Sequence, residues 1–241
     1  MLVLGLAGQA GVGKDEVALY LAKRYGFVVF AFSDALYHEL AQSYGLQDQN
    51  SLRDRRYKEM PVEALSLGLC TDEAFVKVAR EKLSEENPDT FFDLDALPLS
   101  PRWLLQTWGG EYRRTQDENY WIKKAEAFVE QLHYLPPYPE LRPSFFVECG
   151  TRYPNEQEWI RSVGGQIWHI HRGEDKVLHD HASAQPLPVL AGERELWNNG
   201  SIEYLHQGID LLMSSSARTV RVESPLPMEE QGKTETADAD A

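Results

Sequence analysis

The first 32 residues constrain the fold more than any other part of the chain. Residues 2–7, Leu-Val-Leu-Gly-Leu-Ala, form a continuously apolar run, which is typical of a strand covered on both faces in a parallel sheet. A glycine-rich segment follows, then residues 15–24 have helical spacing, and residues 27–32 form a second strand candidate. The order strand, glycine loop, helix, strand predicts a βαβ unit.

The glycine-rich segment Gly8–Asp15 matches the G-x-x-x-x-G-K pattern of a Walker A phosphate-binding loop. Glycines permit positive φ and let backbone N–H groups surround phosphate oxygens, while the following helix directs its positive end at the same anion. Lys14 is predicted to bridge the β- and γ-phosphates of a nucleoside triphosphate and to act in catalysis. The predicted nucleotide-binding residues of this loop are Gly8, Gln9, Ala10, Gly11, Val12, Gly13, Lys14 and Asp15.

The remaining pattern predicts a helical middle region followed by more strands and helices. Residues 35–86 are charged and helical in pattern, and proline-containing breaks follow at 97–101 and 135–139. Further helices are predicted at 103–114, 121–132, 157–163 and 204–213, strands at 145–149 and 166–171, and a loop at 180–188. Together these elements predict a three-layer α/β fold with a parallel sheet.

Length and charge narrow the class of protein. A chain of 241 residues suits one α/β domain or one domain with an inserted lid. The formal net charge of −14 disfavours broad contact with duplex DNA. No apolar run reaches membrane-spanning length and no signal peptide is apparent, so we expect a cytoplasmic protein without a membrane partner. Residues 223–241 are acidic and poor in apolar side chains, which predicts a disordered tail.

Several segments resemble the bacteriophage deoxynucleoside monophosphate kinases, in the same order along the chain. The most specific is the block from Leu99 to Glu111, which begins Ser-Pro-Arg at residues 100–102, continues Leu-Gln at 105–106 and ends in Gly and Glu. The other matching segments are Gly13-Lys14-Asp15, residues 55–59 (Arg-Arg-Tyr-Lys-Glu), residues 152–156 (Arg-Tyr-Pro-Asn-Glu), His181-Ala182-Ser183 and Asn199-Gly200-Ser201. The resemblance covers about residues 2–213.

This resemblance implies a P-loop NTPase fold of the nucleoside monophosphate kinase type, with a helical acceptor-binding region and a mobile lid. The kinase domain would span residues 1–222, the acceptor-binding region 35–135 and the lid 166–190. The reaction would move the γ-phosphoryl group of ATP, with Mg²⁺, to a small deoxynucleotide partner, a deoxynucleoside monophosphate, in the host cytoplasm. A homodimer is left open.

Phosphoryl transfer needs positive groups around an in-line transition state, and arginine suits bidentate phosphate contact. Arginines within the matched segments of an otherwise acidic chain are therefore the best candidates. The predicted catalytic residues are Lys14, Arg102, Arg152 and Arg172. The predicted acceptor-binding residues are Asp34, Arg55, Lys58, Gln106, Glu111 and Arg113, and Asn199 joins the nucleotide-binding set.

Two departures from the family concern the metal site. Asp15 stands where Ser or Thr normally ligates Mg²⁺, and a carboxylate can hold this ion directly or through water. Gly150 stands where the family has an Asp, two residues before the arginine of the Arg-Tyr-Pro-Asn-Glu turn. Glu148 lies on the same strand face and could replace it. Asp15 and Glu148 are therefore the predicted metal ligands. The family's His-x-Ser-Glu element also loses its acid, at Ala184.

These departures leave other functions open. Some phages have similar kinases that phosphorylate the hydroxymethyl group of 5-hydroxymethyluracil in DNA, and only this alternative calls for a DNA partner. Trp103, Trp108 and Trp121 could then stack on an extruded base, and Asp34 or Glu111 could serve as the general base that an alcohol acceptor needs.

Two further hypotheses are not phosphotransferases. The first is a non-catalytic nucleotide-binding module that retains the loop without turnover. The second is a metal site formed by two His-x-His pairs, residues 169 and 171 and residues 179 and 181, although no clear carboxylate or cysteine completes it.

Overall fold

The computed structural model describes residues 1–54, 56–88, 93–134, 138–173, 187–215 and 217–223. Its centre is a sheet of six strands in the order β2-β3-β1-β4-β5-β6, with every neighbouring pair parallel. The strands are β1 Leu2–Ala7, β2 Val28–Phe30, β3 Phe145–Thr151, β4 Gln166–His171, β5 Arg194–Asn199 and β6 Thr219–Glu223. The predicted parallel α/β architecture is confirmed.

The α-helices are α1 Lys14–Tyr25, α2 Asp34–Ser43, α3 Asn50–Arg53, α4 Glu73–Glu86, α5 Pro101–Gln106, α6 Tyr120–Tyr134, α7 Pro154–Ser162 and α8 Ile202–Ser214. A π-helical segment, Thr107–Arg114, continues α5 without a break. Short 3₁₀ turns occupy Glu63–Leu65, Leu67–Leu69, Leu94–Ala96 and Pro139–Leu141. Among the helices of the described ranges, none combines the length and the apolar character needed to cross a bilayer.

Alternation along the strands divides the core between the two faces of the sheet. Val3 of β1 packs with Phe30 and Phe146 beneath the helical region formed by α2–α6. Leu4, its neighbour in sequence, faces the opposite layer, where α1 and α8 cover the sheet. Successive strand residues point to opposite faces, so a continuously apolar strand supports two cores at once. The result is the three-layer arrangement.

Because all strands are parallel, their carboxyl ends meet at one edge of the sheet. The segments that follow β1 to β5 all begin at this edge, and they carry the predicted Walker A loop, Asp34, Arg152, Arg172 and the segment 200–201. Ligands of open α/β sheets bind at this edge. The topology therefore gathers segments that are far apart in sequence into one candidate site.

Two strands were not predicted. β5 carries charged residues, Arg194 and Glu195, at its start, and β6 begins only a few residues before the acidic tail. The predicted lid range, 166–190, begins in β4, which is a central strand of the sheet. Residues 174–186 lie outside the described residues, as do residues 224–241 of the tail. The lid and the disordered tail therefore remain predictions.

Candidate active site

The glycine-rich loop predicted as a Walker A loop follows β1 and takes backbone conformations that require glycine. Gly8 has φ 141° and Gly13 has φ 107°, both in the range that residues with a side chain rarely adopt. A Cβ at Gly8 would lie 2.3 Å from the backbone O of Ile170, and one at Gly13 would lie 2.6 Å from Nδ2 of Asn198. The loop is therefore held between β4 and the end of β5, with no room for larger residues at these positions.

The ammonium group of Lys14 lies over this loop. Its Nζ donates to the backbone O of Gly8 at 2.6 Å and of Gln9 at 2.8 Å. An ammonium has three N–H donors, so one remains for a phosphate oxygen. Burial, and then the positive charge of Arg152, lower the pKa of Lys14 to about 8. The positive charges of Lys14 and of Arg152, which follows β3, therefore repel each other.

Two adjacent asparagines at the end of β5 have different roles. The buried Asn198 donates from Nδ2 to the backbone O of Val12 at 2.9 Å and so fixes the loop. Asn199, the predicted nucleotide-binding residue, accepts from the backbone N of Gly173 at 2.8 Å. The structure therefore places Asn198, which the sequence reasoning missed, against the loop. Alternation along the strand separates the two side chains.

The two predicted metal ligands differ in their surroundings. Asp15 is exposed in the first turn of α1, directly after Lys14. Glu148 is fully buried and accepts from Gly150 N at 2.9 Å, Thr151 Oγ1 at 2.5 Å and Phe32 N at 3.4 Å. Burial, and then the charge of Glu156, raise the pKa of Glu148 to about 8. Asp15 fits the hard-cation preference of Mg²⁺, whereas the carboxyl of Glu148 is already occupied by three donors and holds its proton near neutral pH.

The position of Gly150 relative to the Glu148 carboxyl matches the strand alternation expected from the sequence. A Cβ at Gly150 would lie 3.6 Å from Oε1 of Glu148. The carboxyl of Glu148 thus reaches the space beside position 150, as the alternation argument predicts.

A cavity opens beside the loop, between the carboxyl edge of the sheet and the helical region. Its open volume is about 770 Å³, which includes space shared with solvent. The predicted residues that line it are Lys58, Arg102, Gln106 and Arg152, and the other lining residues are Phe32, Ser33, Leu36, Tyr37, Leu105, Gly109, Gly110, Arg114, Trp121, Gly150, Tyr153 and Glu156. Its wall therefore combines cationic groups with apolar and aromatic side chains, which suits a ligand with a phosphate and a flat ring.

One helix forms a whole side of this cavity. Arg102, Gln106, Gly110 and Arg114 are spaced four residues apart along α5 and the π-helical segment, and all four line the cavity. In an uninterrupted α-helix, each step of four residues rotates by about 40° past a full turn. The wider π-helical turn offsets this rotation and keeps Arg114 on the cavity side.

Arg114 is a cationic residue of the cavity wall that the predicted site residues do not include. Its Nη2 pairs with Oε1 of Glu156 at 2.5 Å, and its guanidinium lies 3.7 Å from the centre of the Tyr153 ring. The other oxygen of Glu156 accepts from the backbone N of Arg152 at 2.8 Å and of Tyr153 at 3.1 Å, which caps α7. One buried carboxylate therefore positions both the Arg114 side chain and the Arg152 backbone.

The cationic groups of the cavity differ in what they already contact. Arg102 pairs with Glu59, and Lys58 Nζ donates to the hydroxyl of Tyr37 at 3.1 Å. The exposed guanidinium of Arg152 makes no hydrogen bond or ion pair with any described residue. Of these groups, Arg152 alone combines proximity to Lys14 with a side chain that no described residue engages.

Comparison with known proteins gives two viral relatives. A protein of Escherichia phage RB69, named deoxynucleotide monophosphate kinase, is 27% identical over 97 residues, which cover 40% of this chain and 37% of the phage protein. A protein of Acanthamoeba polyphaga mimivirus, named putative deoxynucleotide monophosphate kinase, is 24% identical over 214 residues, which cover 87% of this chain and 94% of the relative. No family model matches the chain.

The chain is similar in sequence to proteins named deoxynucleotide monophosphate kinase. The similarity to the mimivirus protein extends over nearly the whole length of both chains, and both relatives carry a kinase name. The family resemblance and the P-loop kinase class predicted from the motifs are thereby confirmed, and with them an enzyme.

Three predicted acceptor-binding residues of this kinase relative lie outside the cavity wall. Asp34 pairs with Arg53 at 2.6 Å, and Glu111 pairs with Lys82. Arg113 Nε pairs with Glu39 at 3.0 Å, within a cluster of ring side chains behind the π-helical segment. Arg172, the predicted lid residue, is exposed after β4, and Arg55 lies outside the described residues.

The tryptophans and histidines named above, where the structure describes them, make contacts within the fold. Trp108 is buried in the core, and Trp103 donates to Glu86 at 2.9 Å, whereas Trp121 reaches the cavity wall. His169 pairs with Glu193 at 2.7 Å and His171 with Glu195 at 3.3 Å. Within the described ranges, no group of three or more His, Cys, Asp or Glu residues has the arrangement of a metal site. His179, His181, Ser183 and Ala184 lie outside those ranges.

Proposed function

We propose that this protein is an ATP-dependent kinase that moves the γ-phosphoryl group to a deoxynucleoside monophosphate and yields the diphosphate. The observation that carries the proposal is that the loop of Lys14 and the segment of Arg152 leave neighbouring parallel strands side by side, since Ala7 of β1 pairs with Thr151 of β3. Lys14 lies over the predicted phosphate-binding loop, and Arg152 belongs to the cavity wall. A phosphoryl group passing between the two sites would meet both cations.

The loop would supply the donor side. Backbone N–H groups of residues 8–14 and the positive end of α1 would hold the phosphates of ATP, and Lys14 would neutralise charge on the transferred group. Asp15 would hold Mg²⁺ directly or through water, and the ion when bound would screen the phosphate charges. Glu148 would then act as a neutral, buried acid that ties the end of β3 to the segment after β2.

The cavity would supply the acceptor side. Arg114 and Arg152 would bind the acceptor phosphate, because arginine presents paired N–H donors to phosphate oxygens. The apolar wall, with Leu36 and Trp121, would cover the nucleoside. The attacking group is then a phosphate oxygen, which is ionised at neutral pH, so this reaction needs no general base. The contribution of the protein is alignment and electrostatic stabilisation.

An assay with γ-labelled ATP and Mg²⁺ tests the proposal. Purified protein would be given each of the four deoxynucleoside monophosphates and, separately, duplex DNA that contains 5-hydroxymethyluracil. The proposal predicts label in one or more deoxynucleoside diphosphates and none in the DNA. Label in the DNA alone would favour the DNA-modifying alternative. ATP binding without label in any acceptor would favour a non-catalytic nucleotide-binding module.

A further inference from the structure

The middle of the cavity-lining helix contains a gap in its row of side chains. Gly110 lies between Gln106 and Arg114, and a Cβ at this position would meet no heavy atom within 4 Å. Its φ lies outside the left-handed range, so a residue with a side chain could adopt the same backbone. Neither conformation nor packing therefore requires glycine here, although glycine in a helix is less stable than alanine.

The side-chain amide of Gln106, one turn earlier, has hydrogen-bonding groups that no described residue engages. Its side-chain amide lines the cavity and makes no hydrogen bond with any described residue. An amide offers two N–H donors and an acceptor oxygen, and the edges of nucleic acid bases present the complementary groups. By contrast, the hydroxyl of the nearby Tyr37 already accepts from Lys58.

The two ends of the helix fix the direction in which an acceptor nucleotide would lie. The Arg114 end adjoins Arg152 through Glu156, and Arg152 follows Thr151, which pairs with Ala7 directly before the loop of Lys14. The phosphate must therefore lie at this end, where transfer occurs. The opposite end adjoins Lys58, because Arg102 N donates to the Lys58 carbonyl at 2.9 Å. A nucleoside attached to the phosphate would extend from Arg114 past Gly110 toward Gln106.

We infer that Gly110 and Gln106 determine which acceptor the kinase selects. The base lies against the bare backbone at Gly110, and the Gln106 amide hydrogen-bonds the edge of the base. This inference rests on the proposed function and adds a specificity surface to it. A site built to hydrogen-bond its substrate discriminates strongly, because its polar group is otherwise left unpaired.

The first test adds bulk at position 110 in the series Gly110→Ala, Gly110→Val and Gly110→Leu. We expect kcat/KM for purine acceptors to fall progressively, by about 100-fold or more for leucine, with a smaller loss for pyrimidines. The KM for ATP should stay within about twofold, since the donor loop is separate. Equal losses for purines and pyrimidines, or a parallel rise in the KM for ATP, would overturn the inference.

The second test replaces the amide by an apolar side chain of similar size, Gln106→Met. We expect the KM of the preferred acceptor to rise about tenfold, which corresponds to one lost hydrogen bond, with kcat for ATP hydrolysis unchanged. Gln131→Met, an exposed residue of α6, is the matched control and should leave both values unchanged. An unchanged acceptor KM in Gln106→Met would remove Gln106 from recognition.

Calorimetric binding of the monophosphates separates this inference from the proposed function. If the wild-type protein transfers no phosphate but binds a deoxynucleoside monophosphate, weaker binding by Gly110→Leu would still support the recognition surface. If the wild-type protein binds none of the four monophosphates, both the proposed function and the inference fail. If transfer occurs and Gly110→Leu binds every monophosphate as tightly as the wild type does, the inference alone fails.

Discussion

Glu156 pairs with Arg114 at 2.5 Å on the wall of the cavity, and 3% of the Glu156 side chain and 13% of the Arg114 side chain are exposed. The same carboxylate caps α7 through the backbone N of Arg152 and Tyr153. Glu156 thus contacts two arginines, the side chain of Arg114 and the backbone of Arg152, which lie about 40 residues apart in the sequence. We regard this carboxylate as the group that orients the acceptor phosphate site.

Removal of this carboxylate should destabilise the fold. Glu156→Ala leaves the mostly buried guanidinium of Arg114 without its carboxylate partner and removes a helix cap, so we expect a loss of about 3–5 kcal/mol in the free energy of unfolding. Urea denaturation at pH 7 measures this. Glu158→Ala, an exposed residue of the same helix, should change stability by less than about 0.5 kcal/mol. A loss below about 1 kcal/mol for Glu156→Ala would contradict the orienting role.

The buried Glu148 should make stability depend on pH. Its pKa is about 8 in the fold and 4.5 ordinarily, so the folded state keeps a proton that the unfolded state releases between these values. The full contribution of Glu148 to the free energy of unfolding is present below pH 4.5. This contribution falls as the pH rises from 4.5 to 8. Glu148→Gln is isosteric with the protonated acid and lacks this dependence. We expect its unfolding free energy, relative to wild type, to rise by on the order of 2–4 kcal/mol between pH 5 and 8.5. Parallel pH profiles would show that Glu148 is ionised in the fold.

Deprotonation of Lys14 should lower kcat/KM for ATP at alkaline pH. Its pKa of about 8 in the free protein means that the ammonium loses its charge above this pH. We expect kcat/KM for ATP, which reports groups of the free enzyme, to fall tenfold per pH unit above about 8. Lys14→Arg should be less active but flat to pH 10, because arginine stays protonated. A wild-type profile that remains flat through pH 9.5 would contradict the assignment.

The two asparagines at the end of β5 offer a matched pair of variants. Asn198→Ala removes the hydrogen bond to Val12 and leaves a buried carbonyl of the loop without its partner, so we expect the KM for ATP to rise about tenfold. Asn199→Ala removes a contact to Gly173 at the end of β4 and should change the KM for ATP by less than about threefold. The reverse order of effects would place Asn199, as the sequence suggested, at the nucleotide.

The sequence was most informative where local chemistry determines local structure. β1 follows from its apolar run and is confirmed, and the glycine-rich loop after it has positive φ at Gly8, Gly11 and Gly13, as its spacing suggests. β5 was missed because Arg194 and Glu195 interrupt the apolar pattern that marks buried strands. Contacts between distant segments, such as that of Asn198 with Val12, do not change the local spacing of apolar residues, so periodicity cannot predict them.

The arginine pair 113–114 shows a further limit of sequence reasoning. Eleven residues are close to three α-helical turns, so an α-helix continued from Arg102 would bring Arg113 to the same face. The π-helical segment changes the residue count per turn and brings Arg114 to the cavity, while Arg113 pairs with Glu39. No pattern in the sequence marks a π-helical turn, so which arginine lines the cavity could not be predicted.

The central claim is that loop and cavity form one phosphotransfer site. The most direct measurement is calorimetric binding of a bisubstrate analogue, in which adenosine and the preferred deoxynucleoside are joined through five phosphates. If both sites are occupied together across Lys14 and Arg152, the analogue should bind at least about 100-fold more tightly than ATP, and Arg152→Gln should remove most of this gain. Binding no tighter than that of ATP alone would show that the two sites do not meet.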